Sequence, residues 1–319
     1  MKTYYINNKG LKQSDEWKEN CWINIENPTN EEKAYLLDEI KIPEAFYNDI
    51  EDIDERPRIE VENDWTFIIL RIPYKNNDLR NPYTTIPLGV VFKDDIFVTI
   101  SFYSTDLISD FIKYSNKKGI EKNDNFDFIF RILLSSSVWF LKYLKQINLE
   151  IKNAENTLEK SIRNEDLQTL FSIEKSLVYF TTSLRSNDIL LHRLKNLKMV
   201  KNNIDEELIE DVEIELRQAI ETANIFSDIL TGMMDAYASV ISNNLNIVMK
   251  RLTSISIVLM IPTLIASLYG MNVPNALQNN PNGFIIVIFI SIIVAVVGII
   301  LFLKKKWFWY SKLIFKQLN

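Results

Sequence analysis

Residues Leu252–Tyr269 read LTSISIVLMIPTLIASLY, and the chain continues as Gly270-Met271-Asn272. The run holds no charged residue, and neither does a second one, Phe284–Leu303, FIIVIFISIIVAVVGIILFL. Each is about as long as a helix must be to cross roughly 30 Å of hydrocarbon. Two such runs in succession predict a pair of transmembrane helices rather than buried helices of a soluble core. Lys250 and Arg251 precede the first run, and Lys304, Lys305 and Lys306 follow the second. The loop between them, Val273–Gly283, is uncharged. This bias places both chain ends in the cytoplasm and the loop outside. Trp307, Phe308, Trp309 and Tyr310 suit an aromatic anchor at the inner interface.

The two spans are built differently. The second is almost uniformly Ile, Val, Leu and Phe, as a lipid-facing helix should be. The first carries Asn246, Met249, Thr253, Ser256, Met260, Thr263 and Ser267 at steps of three or four, which is one helical face. A continuous polar and sulfur-bearing stripe suits a pore lining; helix packing through small residues is the alternative. Two helices cannot enclose a polar path alone. A ring of copies can, with the first helix inside and the second outside, so a homo-oligomer is expected.

Upstream, residues 205–238 contain no Pro and a single Gly, Gly232. Val212, Leu216, Ala219, Ala223, Phe226, Leu230, Met233, Tyr237 and Val240 alternate by four and three, a heptad seam. The pattern runs into the first span with only Asn243, Asn244 and Asn246 as weak interruptions. One helix of roughly 60 residues would be about 90 Å long. Helices are also predicted over Phe126–Arg163 and Glu165–Lys198, forming an antiparallel hairpin about Asn164. The first hundred residues alternate differently. Strands fit Thr3–Ile6, Trp22–Ile25, Trp65–Ile72, Leu88–Phe92 and Ile96–Ser101, and a helix fits Glu31–Ile40. Lys93-Asp94-Asp95 reads as a hairpin turn. The expected fold class is an α+β cytoplasmic domain of α/β/α type at 1–125, a helical hairpin and long stalk at 126–249, and a two-helix transmembrane domain with a basic tail at 250–319.

Charge divides along the same line. The net formal charge is −6, but all 42 acidic residues precede Lys250, with all but seven of the 36 basic ones. An acidic body repels nucleic acid and attracts cations. Met1–Asn20 is polar, so no secretory signal is expected there. The one cysteine, Cys21, excludes an intrachain disulfide and reads as a small buried hydrophobe. The one histidine, His192, lies in a basic helical stretch and supports no catalytic triad. No phosphate-binding loop or dinucleotide fingerprint occurs, so neither a nucleotide partner nor an enzyme is expected.

Tyr269-Gly270-Met271-Asn272, at the outer end of the first of two C-terminal spans, resembles the signature of the CorA family of divalent metal ion transporters. Asn246-x-x-Met249-x-x-Leu252-Thr253 with Met260, Pro262 and Thr263 is similar to that family's pore helix. Trp22-Ile23-Asn24-Ile25 and Arg56-Pro57-Arg58-Ile59-Glu60 are similar to its N-terminal domain. The resemblance covers essentially the whole chain. It implies a funnel-shaped homopentamer that admits hydrated Mg2+ to the cytoplasm, and the lack of a transit peptide in the N-terminal sequence suits a bacterial inner membrane. Gly270, Met271 and Asn272 would then be the selectivity filter. Asn246, Met249, Leu252, Ser256, Met260, Thr263 and Ser267 would line the pore.

The resemblance also implies regulatory Mg2+ bound between subunits at Asp49 and Asp211, with Glu215 at a neighbouring sensor position. Ser135 stands where the family has a second carboxylate. Ser267 stands where the family often has Gly. The outer loop offers Asn275, Asn279, Asn280 and Asn282 in place of acidic residues. Zn2+, Co2+ or Ni2+ are the alternative cargoes on the same fold. Softer metals favour His or Cys, and the pore segment has neither. A non-conducting membrane scaffold is the reading from another class.

Overall fold

A computed structural model of the chain describes residues 1–76, 81–160, 164–272, 274, 277 and 280–304. It consists of two compact units, Met1–Gly232 and Met233–Asn319.

The first unit is built on a seven-stranded sheet. Its strands are β1 (Lys2–Asn7), β2 (Leu11–Ser14), β3 (Trp22–Glu26), β4 (Arg58–Glu62), β5 (Trp65–Lys75), β6 (Tyr83–Lys93) and β7 (Ile96–Ser101), in the order β2-β1-β3-β7-β6-β5-β4. Only β3 and β7 pair in parallel. β5 and β6 are buried along nearly their whole length, which explains their near-continuous apolar sequence.

Helices cover both faces. On one, α1 (Asn30–Ala34), a π-helical turn (Tyr35–Glu39) and α2 (Glu44–Glu51) bury Leu36, Ile42, Phe46, Tyr47 and Ile50 against Ile23, Phe67, Ile69 and Val98. Thr29 and Glu32 form a reciprocal capping box at the start of α1. Gly89 on β6 makes room for α2: a Cβ there would lie 2.2 Å from Cδ1 of Ile50. On the other face are α3 (Asp106–Lys118), α4 (Asn125–Lys160) and α5 (Asn164–Lys195). Trp22 packs edge-on to Phe111 of α3 and Phe128 of α4, and its indole N–H donates to Thr99 Oγ1 at 2.8 Å. Burying each such aromatic contributes about 1.5–3 kcal/mol. The α4–α5 hairpin closes through Phe140 and Phe180, 5.0 Å between ring centres.

The expected strands are all present, and Lys93-Asp94-Asp95 is the turn from β6 to β7, with Asp94 at φ 49. β2, β4, α2, α3 and a short helix after α5, α6 (Lys198–Asn203), are additional to the expected elements. The helix expected over Glu31–Ile40 is split between α1 and the π-turn. Cys21 is buried, and burial pushes its thiol pKa up.

Helix α7 runs unbroken over Glu206–Tyr269, straight through Asn243, Asn244 and Asn246. Val212, Leu216, Ala219, Ala223 and Leu230 of the heptad seam are buried, whereas Val240 is exposed. Lys195 and Arg185 of α5 bond Glu213 and Asn224 of α7. The boundary between the compact units falls inside α7.

The second unit comprises the rest of α7 and α8 (Gly283–Lys304). Both helices are long and apolar enough to cross a membrane, with mean hydropathy 1.9 and 3.5. Residues Trp307–Tyr310, Asn275 and Asn279 lie outside the described residues.

Candidate functional site

Within the second unit, the two faces of α7 are chemically distinct. Ser254 and Val258 are buried, and Val258 Cγ2 lies 3.8 Å from the position a Cβ on Gly298 would take. Further along, Pro262, Ala266 and Tyr269 line a cleft of about 850 Å³ with Phe284, Val287 and Ser291 of α8. These residues define the side of α7 that looks toward α8. Asn246, Met249, Thr253, Ser256, Met260 and Ser267 lie roughly half a turn away, at 3.6 residues per turn. All six are exposed in the single chain. Thr263 stands at the edge of the stripe and also borders the cleft. Leu252, 58% exposed, lies beside the stripe.

The hydroxyls on this face have a particular polarity. Ser256 Oγ donates to the Leu252 carbonyl at 2.9 Å, and Thr263 Oγ1 to the Leu259 carbonyl at 2.8 Å. Their protons are thereby directed into the helix, and their remaining oxygen lone pairs can accept. That suits the waters around a cation, whose hydrogens point outward. Pro262 has no N–H to give the Val258 carbonyl, so the helical ladder has one missing rung in mid-span.

At the end of α7, the Gly270 N–H bonds the Ala266 carbonyl at 2.9 Å. A Cβ on Gly270 would come within 3.2 Å of that same oxygen, so the absent side chain lets the chain turn closely over the helix end. Met271 and Asn272 follow, both exposed. Asn272 thus stands just beyond the C-terminal end of the stripe.

The acidic candidates belong to the first unit. Asp49 lies on α2, where Arg58 Nη2 donates to its carboxylate at 2.6 Å. The same guanidinium binds Glu60 at 2.7 Å and also Glu55. Burial alone would lower the Arg58 pKa, but the bond to Glu60 and the charges of Glu55, Glu60 and Asp49 offset it, and the pKa is raised. Three carboxylates around one cation leave a local excess of negative charge. The Ile53–Glu55 backbone of this cluster is held from beneath by the buried Arg71. Its guanidinium donates to the carbonyls of Ile53, Glu55 and Thr85. Asn187 of α5 bonds both the N–H and the carbonyl of Arg71. Burial lowers the Arg71 pKa, partly opposed by Asp54, Asp52 and Glu55.

Asp211, on α7, lines a cleft of about 370 Å³ together with Asp110, Trp139, Arg131, Ser135 and Asp205. Glu215 is half-buried one turn further on the same helix face. Among the described residues, no three His, Cys, Asp or Glu side chains of one chain converge into a metal-binding group. Asp49 and Asp211 therefore do not form a complete metal site within one chain. In the sequence Arg58 stood out only as part of the segment Arg56-Pro57-Arg58-Ile59-Glu60, with no role attached, and Arg71 was not singled out. Arg71 had a readable signal, as the lone charge in the apolar run Trp65–Ile72.

An acidic unit of sheet and helices, followed by two helices long and apolar enough to cross a membrane, the first with one polar face, fits a membrane transport protein. The family model described as "CorA-like Mg2+ transporter protein" matches residues 17–305, and the chain belongs to this family. The chain is 28% identical over 292 residues to the cobalt/magnesium transport protein CorA of Methanocaldococcus jannaschii, covering 90% of each. It is 26% identical to the Thermotoga maritima protein of the same name, covering 90% of this chain and 83% of that one. The complete structure of the Methanocaldococcus jannaschii CorA magnesium transporter superposes with a TM-score of 0.81 at 25% identity, over 96% of this chain and 98% of that one.

Proposed function

We propose that this chain is a divalent-cation transporter whose copies assemble, as a homopentamer, around a pore lined by the polar face of α7, and that hydrated Mg2+ is its main cargo. The observation that carries the reading is the segregation of α7. Its polar stripe lies opposite the side that looks toward α8, and Gly270-Met271-Asn272 follows at its outer end. In a ring of copies, α8 faces lipid and the stripe faces the axis. The exposed apolar surface of both helices is then covered by lipid and by neighbouring copies.

Mg2+ gives up its waters reluctantly. A ring of Asn272 amide oxygens accepts hydrogen bonds from those waters without holding the ion as a carboxylate ring would, and conduction requires release. Ser256, Thr263 and Ser267 offer further acceptors along the path, and Asn246 stands at its inner mouth. Met249, Leu252 and Met260 narrow it with apolar side chains that exclude water when the ring closes. Movement is passive, driven by the membrane potential. Both termini lie in the cytoplasm, a placement that the basic flanks of the spans support.

Regulation follows from the acidic unit. Mg2+ bound between the Asp49 cluster of one subunit and Asp211 and Glu215 of the next neutralises facing carboxylates and favours the closed ring. Carboxylate oxygens are the donors that this hard ion prefers. The ion shifts the equilibrium by its differential affinity for the closed state.

Uptake into liposomes carrying purified protein tests the reading. Mg2+ enters with wild type, and Asn272→Ala lowers the rate by about tenfold or more, as expected when hydrogen bonds worth ~1 kcal/mol each are lost from a ring. A second reading is transport of cobalt, nickel or zinc; for cobalt alone it has the support of the names of two relatives, which pair that metal with magnesium. Uptake of one of those metals without Mg2+ would replace the main reading with this one. Folded protein that passes no metal would leave a scaffold.

A further inference from the structure

The cleft of about 370 Å³ beside Asp211 is walled by α3, α4 and the start of α7, all within the first unit. Its volume is that of a site for a small organic ligand. Four carboxylates border it, those of Asp110, Asp205, Glu207 and Asp211. Among the described residues none of the four enters an ion pair; Asp205 only caps α7, accepting from the Glu207 N–H at 3.1 Å. One cation borders the cleft, Arg131, and its guanidinium already donates to both carboxylate oxygens of Asp127, at 2.7 and 3.2 Å. The cleft is therefore strongly negative and open to a cationic ligand.

Two further features narrow the choice of cation. The carboxylates do not converge, since among the described residues no three of them come close enough to hold one metal ion. Their charge is spread around the cleft, and a ligand that matches it carries several positive charges held apart. The surface between them is apolar and aromatic. Phe111, Trp139 and Leu208 line the cleft and are nearly buried, and Leu134 and Val138 extend the same surface. Methylene groups gain from covering such a surface, whereas a hydrated metal ion does not. Trp139 already has the Lys142 ammonium 3.5 Å from its ring centre, so Tyr114, 52% exposed, is the ring left for a ligand ammonium. Ser135, on the α4 wall, adds a neutral oxygen that can accept from an N–H.

We propose that this cleft binds an aliphatic polyamine, a chain of methylenes carrying ammonium groups at intervals. The ammonium groups pair with the separated carboxylates, and the methylenes cover the apolar surface between them. The cleft lies within one chain, so the site does not depend on which metal the protein carries or on whether it conducts. Asp211 also belongs to the proposed Mg2+ sensor, and there the polyamine and Mg2+ compete.

Equilibrium dialysis of the full chain in detergent against spermidine tests it, with butylamine as a probe of single charge. Spermidine is retained, and butylamine binds at least about tenfold more weakly. Asp110→Asn and Glu207→Gln, both at exposed positions, each weaken spermidine by about fivefold. Glu206→Gln removes an exposed carboxylate that does not line the cleft and leaves binding unchanged. No retention of spermidine at millimolar concentration would overturn the site. Equal binding of butylamine, or an equal loss in Glu206→Gln, would overturn it in favour of general attraction to an acidic surface. Dialysis reads binding alone, so protein that passes no metal in liposomes still gives the expected result.

Discussion

Arg71 shows how one residue ties distant parts of the first unit together. It stands in an otherwise apolar strand, buried, with its charge spread over backbone carbonyls rather than matched by a carboxylate. Arg71→Met would leave those carbonyls without a donor. The expected cost is ~1–3 kcal/mol, read as a lower urea midpoint at unchanged slope. Legibility differed among the single residues. Gly270, Met271 and Asn272 stand out in the sequence because a short motif follows directly on an apolar run, and their role as a filter belongs to the proposed function. Asp49 was readable as a position but not as a partner. Its bond to Arg58 joins residues on separate elements, and no local spacing announces such a pair. Gly89 was silent as well, because its need for space comes from Ile50, on a helix far away in sequence.

Among the elements, length and periodicity decided what could be foreseen. α7 and α8 were legible because uninterrupted apolar or heptad patterns run for many turns. β4 was missed because it is only five residues long and none of them is buried, as suits an edge strand. α2 and α3 were missed because eight and thirteen residues offer few turns from which to read a period. The contact between the spans was equally hidden, since Gly298 is one small residue in a uniformly apolar helix. That contact makes a paired prediction. Gly298→Ala should be tolerated, because a Cβ would sit 3.8 Å from Val258, an ordinary contact. Gly298→Leu should force the helices apart and cost ~1–3 kcal/mol. Thermal unfolding of the two variants in the same detergent separates these outcomes.

At the scale of the whole molecule, the proposed function has metal bound at the acidic unit act on a proposed pore through the unbroken α7. Asp211→Ala tests the regulatory half. It should raise the Mg2+ concentration that half-protects the protein from trypsin by about tenfold, the equivalent of one charge-assisted contact. Unchanged protection would remove Asp211 from the sensor and leave the pore untouched. The claim on which everything else rests is that the polar face of α7 lines the path of the ion. The chain has one cysteine, Cys21, and it is buried, so a background of Cys21→Ala lets a single engineered thiol be read cleanly. The measurement is Mg2+ flux through Met260→Cys and Val258→Cys in that background, before and after a small cationic thiol reagent is added. Flux through Met260→Cys should be blocked and flux through Val258→Cys, on the side of α7 toward α8, left intact. Block at Val258→Cys with Met260→Cys unaffected would contradict the account, because the ion would then pass along the other face of the helix.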